Sequence, residues 1–220
     1  MLKSFLGLFI FVIGLANINL EKQQKSPNIK EITITTYSVI NEGGYISKDN
    51  VTMTQKTAFL MDGRIESATH FDQNQHIAWK EVYEYDASKK LTGSKFYNKE
   101  KETFKYSTFE TDDQGRKTKM TAFDAKTDSI LYDEAFQYLE DNIVREGYID
   151  HLDEFIWTME YKYDELGNEL GYTFFDYENS KRIKTMYRFK QTDEYNNWTE
   201  KEILDGKEVV AIEIRKLEYY

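Results

Sequence analysis

The 220-residue chain has no cysteine. That excludes disulfides, thiolate metal sites and cysteine nucleophiles, and also the acylated cysteine that anchors a bacterial lipoprotein. A domain of this length can fold without disulfides, so their absence does not argue against an oxidising compartment. Proline occurs once, at Pro27, which leaves room for long uninterrupted strands. Basic residues form no stripe: 29 Lys and Arg against 39 Asp and Glu give a formal net charge of −10, which argues against nucleic acid as a partner. There is no Gly-x-Ser-x-Gly elbow, phosphate-binding glycine loop or EF-hand loop.

Long apolar runs are confined to the first nineteen residues. Lys3 supplies a positive start, Phe5 to Leu15 an apolar stretch, and Gly14-Leu15-Ala16 a small-residue cleavage site. Eleven apolar residues span only about 16 Å as a helix, against a hydrocarbon core of ~30 Å. Residues 1–16 are therefore expected to be a signal peptide cleaved after Ala16, and residues 17–28, polar from Glu21 to Ser26, a flexible lead-in. Export places the mature chain in the periplasm, on the cell surface or outside the cell, in a bacterium of Gram-negative type.

What the chain has in quantity is aromatic side chains, 17 Tyr and 14 Phe, which favour pleated, half-buried surfaces. They recur in register. An apolar residue followed by Asp or Asn returns every 26 residues at Phe71-Asp72, Tyr97-Asn98, Phe123-Asp124, Ile149-Asp150 and Phe175-Asp176. A sixth copy, Leu204-Asp205, follows after 29, with the extra residues placed between Tyr187 and Asp193. In counterphase lies a second motif whose Asp recurs as Asp86, Asp112, Asp164 and Asp193. Three residues beyond each anchor stands Gly115, Gly167 or Asn196, with Asn142 in the copy whose Asp is replaced by Leu139. Gly and Asn tolerate positive φ, which an Asp-x-x-Gly turn requires; Lys89 departs from this residue type in the first copy.

Between turns the residues alternate. Phe155, Trp157, Met159, Tyr161 and Tyr163 are apolar, while Thr158, Glu160 and Lys162 between them are polar, as in a half-buried strand. Leu170, Tyr172 and Phe174 continue the pattern on the return run. The expected fold is all-β: an antiparallel meander of tandem 26-residue hairpins forming a curved single sheet or an open barrel or shell. Residues 29–58 carry alternation without motif copies and read as diverged cap strands; residues 59–220 form the hairpin-repeat domain.

The run Tyr161-Lys162-Tyr163-Asp164-Glu165-Leu166-Gly167-Asn168, with Tyr83-Glu84-Tyr85-Asp86, resembles the signature of YD (RHS-type) repeats of bacterial surface and toxin-associated proteins. The likeness covers roughly residues 59–205 and implies a curled β-sheet. The longer period and the small number of copies here do not extend that implication to enclosing a cargo.

Three groups of residues are candidates for chemistry. His70 and His76 flank a turn at Asp72, and a three-residue loop would set two imidazoles and a carboxylate together as for zinc; the turn role of Asp72 is the simpler explanation. Paired carboxylates such as Asp112-Asp113 and Asp153-Glu154 fit turn positions better than a glycosidase pair. Exposed aromatics are the third group, since such rings stack on sugars and anchor interfaces. Trp79, Trp198, Phe175 and Tyr177 are the candidates for binding, whereas Trp157 lies on the apolar stripe. The sequence thus reads as an exported, non-catalytic repeat module that binds a protein or glycan, with no cofactor and no stable membrane insertion. The alternatives are a metal-dependent envelope enzyme using His70, His76 and Asp72, and an outer-membrane β-barrel; 31% charged residues and a mean hydropathy of −0.70 weigh against the latter.

Overall fold

The tight turns set the architecture. In a computed structural model describing residues 27–140, 142–165 and 167–220, the aspartates of both series act alike. Oδ1 of Asp72 accepts the backbone N–H groups of Asn74 and His76, and Oδ1 of Asp86, Asp112, Asp150 and Asp193 each accepts the N–H groups two and four residues on. Asp164 does the same toward Asn168. The residue three places after each anchor is left-handed: φ is 75° at Gly115, 84° at Gly167, 57° at Asn142 and 64° at Asn196. Lys89, Gln75, Lys101 and Asp153 take the same conformation without being Gly or Asn, so the side-chain cap sustains the turn even where the residue type disfavours it. Backbone N–H donors lower the pKa of Asp72 and of Asp150.

These turns join fourteen antiparallel strands: β1 (Ile29–Glu42), β2 (Tyr45–Phe59), β3 (Ile65–Phe71), β4 (Ile77–Tyr85), β5 (Leu91–Asn98), β6 (Thr103–Thr111), β7 (Lys117–Asp124), β8 (Ile130–Leu139), β9 (Ile143–Ile149), β10 (Phe155–Tyr163), β11 (Glu169–Asp176), β12 (Lys181–Thr192), β13 (Trp198–Asp205) and β14 (Glu208–Tyr219). Each pairs with its neighbours in sequence, and β1 pairs with β14 from Ile29–Tyr219 to Ser38–Ala211, so the meander closes into a barrel. Closure removes the free sheet edges that an open shell would leave. The expected signal peptide at 1–16 and residues 17–26 of the lead-in lie outside the described residues.

Residues 29–58, expected as a cap, supply β1 and nearly all of β2, the strands that make closure possible. β1 loses its partner in β14 beyond Ser38, and β2 meets β3 only from Thr54, so residues 39–53 form an arm projecting past the wall. This arm leans on the outside, where Lys48 meets Glu200 of β13 at 3.0 Å. The extra residues before Asp193 coincide with register shifts between β12 and β13 at Phe189/Gln191 and Gln191/Thr192. One bulge changes the expected stripe: Lys162 pairs with Gly171 and Tyr163 with Glu169, so Glu169 replaces Leu170 beside Tyr172 and Phe174. Turns following odd-numbered strands gather at one end of the barrel. The other end carries the remaining turns and both ends of the described chain, where Tyr220 N–H donates to the Asn28 carbonyl.

Candidate functional site

Alternation along each strand sends every second side chain into the barrel. On β4 the inward set is Trp79, Glu81, Tyr83 and Tyr85, and on β8 it is Tyr132, Glu134, Phe136 and Tyr138. Cross-strand pairing extends these into layers: Tyr148 lies opposite Trp157, Glu146 opposite Met159 and Phe136, and Ser107 opposite Ser94.

The layer nearest the odd-turn end is aromatic. His70 stacks on Trp79 with ring centroids 3.6 Å apart, and Trp79 lies 5.7 Å from Phe96. Lys105 continues the row: its Nζ sits 3.8 Å over the Phe96 ring and donates to Tyr132 Oη at 2.7 Å. Tyr132, Tyr148, Trp157 and Phe174 follow with successive centroid distances of 4.7, 4.7 and 6.0 Å. The row thus runs from β3 to β11. Trp79, Tyr132, Tyr148, Trp157 and Phe174 remain only half-buried although they point inward, so solvent reaches them inside the barrel.

Beneath this row lies a buried layer of ionisable groups. Glu81, Glu134 and Glu146 are each about 95% buried, at 5%, 6% and 5% exposure. Tyr83 donates to Glu81 at 2.9 Å, and Tyr161 donates to Glu146 Oε1 at 2.7 Å. Burial, reinforced by the neighbouring Glu146 carboxylate, raises Glu134 to about 8 against the pull of Lys117 and Lys105. Burial also raises Glu81 and Glu146, and it lowers Lys105, which Glu81 and Glu134 partly restore. Glu134 therefore keeps its proton at pH 7 and is able to donate a hydrogen bond. Glu146 Oε2 and Ser107 Oγ are buried and have no hydrogen-bond partner among the described residues.

A second polar cluster lines β11 to β14. Lys201 bonds Glu213 at 2.9 Å and stands 3.8 Å over the Tyr187 ring. Burial raises the nearby Glu169 to about 7, opposed by Lys201, and lowers Arg215, which lies 5.0 Å from the Trp198 ring, to about 10. Lys201 and Glu213 are partners within the wall, whereas Arg215 Nε is buried without a hydrogen-bond partner among the described residues.

The zinc reading fails on register. His70 pairs with Trp79, not His76, and faces the lumen, where burial pulls its pKa to about 4 and keeps it neutral. His76 is exposed, with Nδ1 3.6 Å from Asp72 Oδ2. Among the described residues no three His, Asp or Glu side chains are grouped as metal ligands. The aromatic candidates separate. Trp79 belongs to the lumen row. Trp198, at 9% exposure, is buried between Arg215 and Lys201, which corrects its expectation as an open contact. Phe175 and Tyr177 stack on the outer surface with centroids 6.4 Å apart, and Tyr177 is exposed while Phe175 is half-covered under Arg182. Asp86, Asp112, Gly115, Asn142, Asp164, Gly167, Asp193 and Asn196 all occupy turns at the even-turn end, away from the aromatic row.

The sequence reading missed Glu81, Lys105, Glu134 and Glu146. Their signal was a charge at aromatic parity: Trp79-x-Glu81-x-Tyr83-x-Tyr85 and Tyr132-x-Glu134-x-Phe136-x-Tyr138 share one pattern. Only closure of the sheet makes that parity an interior.

No family model matches the chain, and no curated protein does. Among solved structures it is similar to a porin-like protein from Bacteroides uniformis, with a TM-score of 0.51, 10% identity, and coverage of 88% of this chain and 100% of that one. The Photorhabdus luminescens Tc holotoxin pore matches at a TM-score of 0.31 and 12% identity over 82% of this chain, which spans 11% of that one. The first likeness establishes an all-β barrel fold.

Proposed function

We propose that the chain is an exported, water-soluble barrel that works by binding a ligand in its lumen, and that it neither catalyses a reaction nor spans a bilayer. The observation that carries this reading is the distribution of charge across the wall. A lipid-spanning barrel needs an apolar outer band. Here the outward positions carry ion pairs: Lys95–Glu84 at 2.5 Å, Arg145–Glu160 at 2.5 Å, Lys56–Glu31 at 2.7 Å, Lys119–Asp133 at 3.4 Å, and Arg188–Glu202. The described residues contain no helix long and apolar enough to cross a membrane, and strands with this outer face are poorly suited to do so. The aromatic row and the half-satisfied polar layer supply the binding surface.

Export rests on the Lys3, Phe5–Leu15 and Ala16 pattern, and the relation to YD repeats is supported by the aspartate-capped turns at Asp86, Asp112 and Asp164. A glycan suits the aromatic lumen better than a protein, which would have to engage the outer surface. Fractionation tests the proposal: the exported protein should leave the cell envelope in detergent-free buffer and stay at the bottom of a flotation gradient with phosphatidylethanolamine–phosphatidylglycerol vesicles. Flotation with the vesicles would overturn it in favour of an outer-membrane barrel.

A further inference from the structure

We infer that the aromatic row and the carboxylate layer beneath it form one binding site for a neutral saccharide, entered from the odd-turn end. This rests on the lumen-binding reading and goes beyond it in naming the ligand chemistry. Three features converge. Tyr132, Tyr148, Trp157 and Phe174 present half-buried ring faces along four neighbouring strands, a surface on which the C–H face of a pyranose packs. Below them, Glu146 Oε2 and Ser107 Oγ are buried polar atoms without a partner among the described residues, and such atoms carry a free-energy cost until something bonds them. Sugar hydroxyls both donate and accept, so one ligand can bond a carboxylate, a serine hydroxyl and a protonated Glu134 together.

The charge of the site selects against ionic ligands. The carboxyl groups of Glu81 and Glu146 oppose an anion, while Lys105 and Lys117, which share the same space, oppose a cation. A flat apolar ligand would stack on the rings but leave Glu146 Oε2 and Ser107 Oγ unbonded. A neutral polyhydroxylated ring satisfies both surfaces.

The test is calorimetric titration of the purified exported protein with maltohexaose, cellohexaose, xylohexaose and chitohexaose, with trigalacturonate as the anionic comparison. At least one neutral oligosaccharide should bind saturably, and trigalacturonate about tenfold more weakly or not at all. Trp157→Ala should weaken binding about tenfold or more, and Glu146→Gln by a smaller factor, whereas Trp157→Tyr, which keeps a stacking face, should stay within about threefold. Tyr177→Ala, on the outer surface, should leave binding unchanged. Absence of saturable heat from all four neutral sugars, with circular dichroism reporting an intact barrel, would overturn the inference. So would loss of binding in Tyr177→Ala or unchanged binding in Trp157→Ala. A protein that stays in buffer but binds none of the sugars loses this inference alone; one that floats with vesicles loses the lumen-binding reading as well.

Discussion

Lys95 and Lys105 lie on adjacent strands, β5 and β6, on opposite faces of the same wall, and they live in different media. Lys95 points outward to Glu84, with nearly half of each side chain exposed. Lys105 points inward, is buried against the Phe96 ring, and bonds Tyr132. The same ammonium group is thus a weak, screened partner on one face and, on the other, part of a layer in which every unpaired group is costly. Charge in this chain has no fixed meaning until its face is known: the outer face uses it for solubility, the inner face for a polar interior beneath an aromatic rim.

The largest effect should come where the outer face is not a tolerant surface. Gly147 points outward, yet a Cβ there would lie 2.1 Å from the Trp157 carbonyl oxygen, so β9 and β10 can approach only with glycine between them. Gly147→Ala should cost several kcal/mol, roughly enough to unfold a domain of ordinary stability, as read by urea denaturation. Gly43→Ala, with φ of 61° and nothing within 4 Å, should cost only about 1 kcal/mol. Equal losses at the two positions would break the claim of close strand contact.

Next in size is Lys105→Met, which leaves Glu81 and Glu134 with only the half-buried Lys117 as a neighbouring cation and should destabilise by about 3 kcal/mol in the same measurement. Acidity gives the third test. Glu134 keeps its proton in the folded barrel up to about pH 8, whereas an unfolded chain releases it near about 4.3. Between those values the folded state binds more protons, so this contribution is complete below the lower value and is lost as pH rises through the higher one. The turn aspartates Asp72 and Asp150 have lowered pKa values and act in the opposite sense, their contribution falling away in stronger acid. The melting temperature should therefore rise as pH falls from 9 to 5, and Glu134→Gln should flatten that slope. A slope unchanged by Glu134→Gln would remove the inner carboxylate from the account. The smallest effect is Lys95→Ala, expected to change stability by less than about 0.5 kcal/mol; a loss matching that of Lys105→Met would erase the distinction between the faces.

The sequence by itself determined the strands, the turns and the order in which they follow. Those features are local: alternation is set by the strand period, and an aspartate caps a turn through its own next four residues, which is why Lys89 can stand where Gly115 and Gly167 stand. The tertiary structure decided what the parity means. The sequence presents Trp79, Glu81 and Tyr83 as alternate residues of one strand, but whether that face meets a second sheet, water or a lumen depends on β1 finding β14, a pairing between segments about 180 residues apart with no local signature. The register of the β3–β4 hairpin set His70 against Trp79 instead of His76, and a bulge moved Glu169 to the inner face in place of Leu170. Register and closure are cooperative properties of all fourteen strands, settled by the free energy of joining the sheet's edges, and no window of sequence contains both edges.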